Sequence, residues 1–282
     1  MKNNSLKKEI KENGYYIWRE FFSKPEMNEI TNIADLYSKE IMKNWAKNTK
    51  DLNKIFVEKD SRLKIIDHYK RYDKPNYRRD PQKNLANKEF FKMVNSEKFK
   101  CFKSIINAKN FYFSFIKNLR FKSRLLPWSI SRWHCDRFTF KEFKDKNMKF
   151  LIFWIPLQNV TKKTGGGVEL IHKKKFSFND ISNKNFINKK KEELFHMNDY
   201  QKKFDNCKKI VPELKFGDLL IIESSTIHKT SNYNKIKPFW SMDLRFEYGS
   251  KVTQLTKKAG FNMFSDPIKN YKKFENLKNL KI

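Results

Sequence analysis

The chain has 282 residues, 39% of them hydrophobic and 27 of them Phe, with 62 Lys and Arg against 31 Asp and Glu for a formal net charge of +31. That apolar content suffices for a sizeable core in one large domain or two small ones, and the lack of any run of eighteen apolar residues excludes a membrane-spanning helix. Three cysteines, Cys101, Cys135 and Cys207, form no CxxC pair, which argues against a zinc ribbon or a disulfide framework; with no apolar stretch behind Met1-Lys2-Asn3-Asn4-Ser5, the expected location is the reducing cytoplasm.

In chain order, Asn13-Gly14-Tyr15-Tyr16-Ile17 reads as a short leading strand within a helical N-terminal third. Ser23-Lys24-Pro25-Glu26 is a helix start, with Ser at the cap and Pro and Glu in the first turn. It leads into a helix over 27–43, where Ile30, Ile33, Ala34 and Tyr37 recur at helical spacing. Residues 45–85 are polar, contain Pro75 and Pro81, and predict a long irregular segment near the mouth of a site; 87–108 is again helical. From Phe111 onward strands dominate, at 111–118, 128–136, 149–157, 167–172, 218–223 and 239–247. The stretch 173–209 is Asn/Lys-rich and reads as an insertion or lid, partly helical around 189–195, and 250–282 reads as a polar tail. Neither an internal repeat nor a linker interrupts the chain, so one domain over 1–282 is expected, mainly β with flanking helices.

The chemistry concentrates in His134-Cys135-Asp136 and in His228, ninety-four residues further on. Side chains two apart on a strand point to one face, so His134 and Asp136 would face the same way, and Cys135 would point into the core. With His228 they supply two imidazoles and one carboxylate, a set that binds a metal on one side and leaves the opposite positions open, the ligand type of non-haem Fe(II) oxygenases. A bare H-x-D pair is more often a surface pair on a strand; its surroundings decide the reading here. Gly165-Gly166-Gly167 lacks the Lys-Ser/Thr and the following helix of a phosphate loop, and reads as a tight turn between strands. His68, His172 and His196 fall in polar or loop segments and read as structural or exposed.

Those surroundings are Trp133-His134-Cys135-Asp136, Phe153-Trp154-Ile155-Pro156-Leu157 with Gly165-Gly166-Gly167 after it, Gly217-Asp218-Leu219-Leu220 leading to His228, and Trp240-Ser241-Met242-Asp243-Leu244-Arg245. In this order, over roughly residues 10–250, the chain resembles the phytanoyl-CoA dioxygenase family of Fe(II)/2-oxoglutarate-dependent oxygenases. The resemblance implies a double-stranded β-helix core (jelly roll, cupin-like). It also implies Fe(II) on His134, Asp136 and His228, 2-oxoglutarate as co-substrate, and hydroxylation of a small or medium organic molecule.

The sequence departs from that family at the co-substrate. The far carboxylate of 2-oxoglutarate needs a cation, ideally a guanidinium. The family usually supplies an Arg about eleven residues after the distal histidine, and Phe239 stands there. Arg245 lies on the same predicted strand face and is the expected provider, although six residues of strand span roughly 20 Å; Lys237, Arg132 and the Arg78-Arg79 pair remain alternatives, and pairing with Asp243 or another acidic neighbour is the simpler role open to Arg245. Trp154 matches the family's aromatic beside the co-substrate, and Thr230 offers a hydroxyl to it.

The charge admits two readings. Taken at face value it predicts binding to phosphate-rich partners. Yet ten of the basic residues are Arg and the rest Lys, Asn, Ile and Phe are abundant too, and the lysines are spread along the chain apart from clusters at 173–175 and 189–191. That is the usage of an AT-rich genome, so the partner expected is a small-molecule substrate rather than nucleic acid. A dioxygenase-fold protein that binds metal or ligand without turnover, and a basic module for polyanions, are the alternatives.

Overall fold

A computed structural model describes residues 2–45, 60–71, 88–125, 129–138, 148–172, 204 and 207–275. The N-terminal third is helical, as expected, but opens with a helix that the sequence reading does not separate, α1 (Lys2–Asn13). Its apolar signal is only Leu6 and Ile10, one turn apart, and both are buried. Gly14 at φ 85° lets the chain leave the helix and enter strand β1 (Tyr15–Trp18). Helix α2 (Lys24–Trp45) starts where the cap predicts. Ser23 donates its N–H and its hydroxyl to Glu26 Oε2, each at 2.7 Å, a capping box that satisfies groups the first turn leaves open.

Within the segment expected to be irregular, Ser61–Arg71 forms helix α3. Ile65 and Ile66 are buried there, and Ser61 donates to the Asp35 carbonyl on α2; residues 46–59 and 72–87 lie outside the described part. Short helices α4 (Lys88–Val94), α5 (Glu97–Lys100) and α6 (Phe102–Ile105) fill the predicted helical stretch 87–108.

The strands are β2 (Tyr112–Lys122), β3 (Phe150–Pro156), β4 (Val168–Ile171), β5 (Lys209–Ile210), β6 (Leu219–Glu223), β7 (His228–Thr230), β8 (Phe239–Glu247) and β9 (Phe261–Asn262). They form a six-stranded sheet in the order β1-β6-β3-β8-β2-β9 and a three-stranded sheet in the order β5-β4-β7, with every pairing antiparallel. The major sheet is covered by helices on one face and by the minor sheet on the other. Strand alternation sorts its residues: Leu151, Phe153, Ile155, Leu219, Ile221, Met242, Leu244 and Phe246 join the helical core. Phe150, Ile152, Trp154, Leu220, Ile222 and Phe239 pack toward the minor sheet.

Three expectations change. No strand runs over 128–136; among its described residues, His134 alone makes a β-bridge, and Asp136 opens a 3-10 turn (Asp136–Phe138). Strand β2 continues four residues past the predicted end at 118, with a register shift between Ser114 and Asn118. The stretch expected as a polar tail instead forms helix α7 (Gln254–Ala259), edge strand β9 and helix α8 (Pro267–Glu275), and buries Phe261, Met263 and Phe274. Its apolar anchors are few and far apart, which is why composition alone hides them. The expected lid lies almost wholly outside the described residues.

Candidate metal centre

Each histidine is placed by backbone before its side chain does anything. His134 and His228 face each other across an antiparallel bridge, each N–H donating to the other's carbonyl at 2.9 Å. Opposed residues in such a pair present side chains to one face, and here the two imidazole centroids lie 4.3 Å apart. Thr226 fixes the turn before His228 by donating its hydroxyl to the Gly14 carbonyl at 2.7 Å. Asp136 reaches the same face from its 3-10 turn, held by the Arg137 N–H on the Ser224 carbonyl at 2.9 Å. Cys135 points away, buried against Trp133, Ile171, Phe204 and Ile227, with its thiol on the Ser224 carbonyl at 3.2 Å.

The hydrogen bonds orient the ligand atoms. Nδ1 of His134 lies 2.7 Å from the Arg132 carbonyl and Nδ1 of His228 lies 2.9 Å from the Thr226 carbonyl. A carbonyl only accepts, so each Nδ1 carries a hydrogen, and each ring is turned with its Nε2 toward Asp136. Both Nε2 atoms face Asp136 Oδ1, at 3.4 Å and 3.8 Å, and the three donor atoms lie within 4.8 Å of one another. Arg245 Nη2 donates to the other oxygen, Asp136 Oδ2, at 2.5 Å, which leaves Oδ1 turned to the histidines.

The electrostatics suit a cation. Burial works against charge on Asp136, yet Arg245 and the two histidines outweigh it and hold the carboxyl well below its usual range. Burial, with His134 beside it, pushes His228 down to about 3, so its imidazole is neutral. Two imidazoles and an anionic carboxylate, each with its second polar atom committed elsewhere, form a donor set that fits Fe(II) and would leave part of its coordination sphere open.

The pocket in front of these atoms lies between the two sheets and is lined in part by Ile152, Trp154, Val168, Ser131, Thr230, Arg120, Lys122 and Asp243. Trp154 and Thr230 line the same pocket as His134, Asp136 and His228. Thr230 Oγ1 accepts the Ser131 N–H at 3.0 Å and shares one hydrogen with Ser131 Oγ at 2.8 Å. Arg245 pairs with Asp136 and is not among the residues that line the pocket; β8 sets it opposite Ile152 and Ser114, far along the strand from Phe239. Of the alternatives, Lys237 and Arg132 have exposed side chains and Arg78-Arg79 lie outside the described residues.

Two charged residues of the pocket, Arg120 and Lys122, escaped the sequence reading, and Asp243, offered there as a partner of Arg245, pairs with Arg120 instead. Arg120 Nε pairs with Asp243 Oδ2 at 2.9 Å, and Lys122 Nζ donates to the Gly166 carbonyl at 2.6 Å. The signal for the two cations was the alternation Leu119-Arg120-Phe121-Lys122, apolar toward the helices and basic toward the site, hidden by ending the strand at 118. Burial pushes Lys122 down to about 7, with Asp243 opposing and Arg120 reinforcing the shift; burial pushes Asp243 up despite the neighbouring cations.

No family model matches the sequence, and no curated protein matches it. Among solved structures the fold has clear counterparts. The epimerase SnoN in complex with Fe3+, alpha ketoglutarate and nogalamycin RO is 10% identical with a TM-score of 0.56, covering 87% of this chain and 83% of that one. EctD from S. alaskensis with 2-oxoglutarate and 5-hydroxyectoine is 11% identical at a TM-score of 0.51, covering 86% and 74%. EvdO2 from Micromonospora carbonacea var. aurantiaca complexed with 2-oxoglutarate is 13% identical at 0.50, covering 89% and 94%. The fold is thus the jelly roll of these structures, carried here by a sequence only 10–13% identical to theirs.

Proposed function

We propose that this chain is an Fe(II)- and 2-oxoglutarate-dependent oxygenase, akin to the phytanoyl-CoA dioxygenase family, that hydroxylates a small or medium organic substrate. The observation that carries the reading is the convergence of His134 Nε2, His228 Nε2 and Asp136 Oδ1 at the floor of a pocket between two sheets. The shared fold with structures solved with 2-oxoglutarate agrees with it. Bound iron would supply oxygen activation coupled to oxidative decarboxylation: substrate, O2 and 2-oxoglutarate become hydroxylated product, succinate and CO2.

The chain's own residues do the positioning. His134 and His228, locked by their Nδ1–H bonds, keep their lone pairs on the pocket side. Arg245 holds Asp136 so that one oxygen stays with the metal. Ser131 and Thr230 share one hydroxyl hydrogen between them, which leaves the other for a ligand oxygen. Ile152, Trp154, Val168 and Ile222 form apolar walls that restrict water. Substrate-dependent and substrate-independent succinate release, measured with Fe(II) and 2-oxoglutarate in wild type and His134→Ala, tests the reading; release in the wild type that is lost in the variant is expected, and equal release in both would overturn it.

A further inference from the structure

The inward face of the major sheet carries three cations in or beside the pocket, and they are not equivalent. Arg245 is paired with Asp136 and Arg120 with Asp243. Lys122 is as deeply buried as Arg245, yet no carboxylate among the described residues lies within ion-pair distance of it. Its ammonium donates to the Gly166 carbonyl at 2.6 Å and reaches the Gly167 carbonyl at 3.5 Å, and the closest rings are those of Trp154 at 5.3 Å and Phe239 at 5.5 Å. An ammonium has three donors, and a buried charge without a counter-charge is costly. An arrangement of this kind is stable in use when a ligand brings the missing anion.

The sheet register shows where that anion would lie. Lys122 is the cross-strand partner of Phe239, so the two side chains share a face with their Cβ atoms roughly 5 Å apart. A cation missing from position 239 on β8 is returned at the same height by β2. Phe239 itself stacks parallel to Trp154, with centroids 6.2 Å apart and planes 6° apart, and a Cβ on Gly166 would come within 2.7 Å of its ring. That glycine, at φ 78°, lets the turn close onto Phe239 and brings its carbonyl to the lysine.

We propose that Lys122 is the residue that binds the far carboxylate of a dicarboxylic 2-oxo acid co-substrate, and so sets the preference for 2-oxoglutarate over 2-oxo acids with an apolar end. This rests on the proposed function and adds the identity of the anchoring residue. The methylenes of the acid would lie against Trp154, and the carboxylate would supply the charge that burial denies the ammonium.

The test is calorimetric titration of the full chain loaded with Ni(II), which needs no turnover, with 2-oxoglutarate and with 2-oxopentanoate, an acid of equal length that ends in a methyl group. In the wild type 2-oxoglutarate should bind more tightly by on the order of 10–100-fold, the worth of one charge-assisted pair. Lys122→Met should abolish that preference by weakening 2-oxoglutarate while leaving 2-oxopentanoate unchanged, and Lys122→Arg should retain it. Ni(II) stoichiometry in each variant reports that the site is folded; should Lys122→Met fail this control, Lys122→Gln is read in its place. A preference that survives in the folded variant, or that disappears in Arg120→Gln instead, overturns the assignment to Lys122 and leaves the proposed function standing. A Ni(II)-loaded wild type that binds neither acid overturns both.

Discussion

Along β8, Trp240, Met242, Leu244 and Phe246 point to the helices, whereas Phe239, Asp243 and Arg245 point toward the minor sheet. The two faces come from alternate residues of the same strand, yet different physics holds them. On the helical face Phe153 packs against Phe102, Phe246 and Phe99 at centroid separations of 4.5, 4.8 and 5.7 Å, and a polar group such as Trp240 Nε1 is met by a backbone carbonyl, that of Arg62. On the inward face the charges need partners: Arg245 is matched by Asp136 and Arg120 by Asp243, while Lys122 is held by the Gly166 carbonyl. Burial stabilises the first face; on the second it is a cost that specific pairs offset. The comparison teaches that the fold is secured on the side away from the chemistry, which leaves the pocket side free to hold charges that a plain core would not tolerate.

The largest separation of the two faces should come from Phe153→Ala. Loss of an enclosed aromatic leaves a cavity and should cost about 3–5 kcal/mol in urea denaturation, while the Ni(II) affinity of the folded fraction stays unchanged. Arg245→Met should come next, because it strands the buried Asp136 carboxylate; a destabilisation of about 3 kcal/mol is expected in the metal-free protein. Bound Ni(II) should narrow that gap, since a dication supplies the charge the variant lacks. An equal gap with and without metal would show that Arg245 acts through packing alone.

His134→Ala reverses the pattern of Phe153→Ala. It should weaken Fe(II) or Co(II) by at least about a hundredfold, roughly 2.7 kcal/mol, with little change in the denaturation midpoint of the metal-free protein. Full-strength binding in that variant would dismiss the three-residue centre.

The smallest effect is a pH dependence. Lys122 has its pKa lowered to about 7 by burial, against 10.5 for an ordinary lysine. Between those values the unfolded chain binds the proton and the folded one does not, so this group makes stability rise with pH. The penalty is full below about pH 7 and fades toward pH 10. Wild type should therefore gain on Lys122→Met by about 1 kcal/mol per pH unit between pH 7 and 9. Parallel stability curves for the two proteins would place the ammonium in contact with water.

Much of this was legible in the chain. The cap at Ser23, the turn at Gly165-Gly166-Gly167 and the alternating strands 149–157 and 239–247 are local signals, and local structure follows them because they satisfy backbone groups and fix side-chain direction within a few residues. The strand expected over 128–136 was not found, yet His134 and Asp136 still share a face, because a bridge to His228 and a single 3-10 turn achieve what a continuous strand would have.

What the sequence by itself determined is the set of chemical groups and their periodicity: two histidines, an aspartate, an aromatic strand and a missing arginine at position 239. Which cation meets which anion was decided by tertiary structure alone. Arg245 belongs to Asp136, Arg120 belongs to Asp243, and Lys122 stands beside Phe239 because strand β2 runs four residues longer than its local pattern announces and pairs with β8 in one register. Cross-strand neighbours lie about 5 Å apart in space while separated here by more than a hundred residues of chain, and no local propensity encodes that pairing.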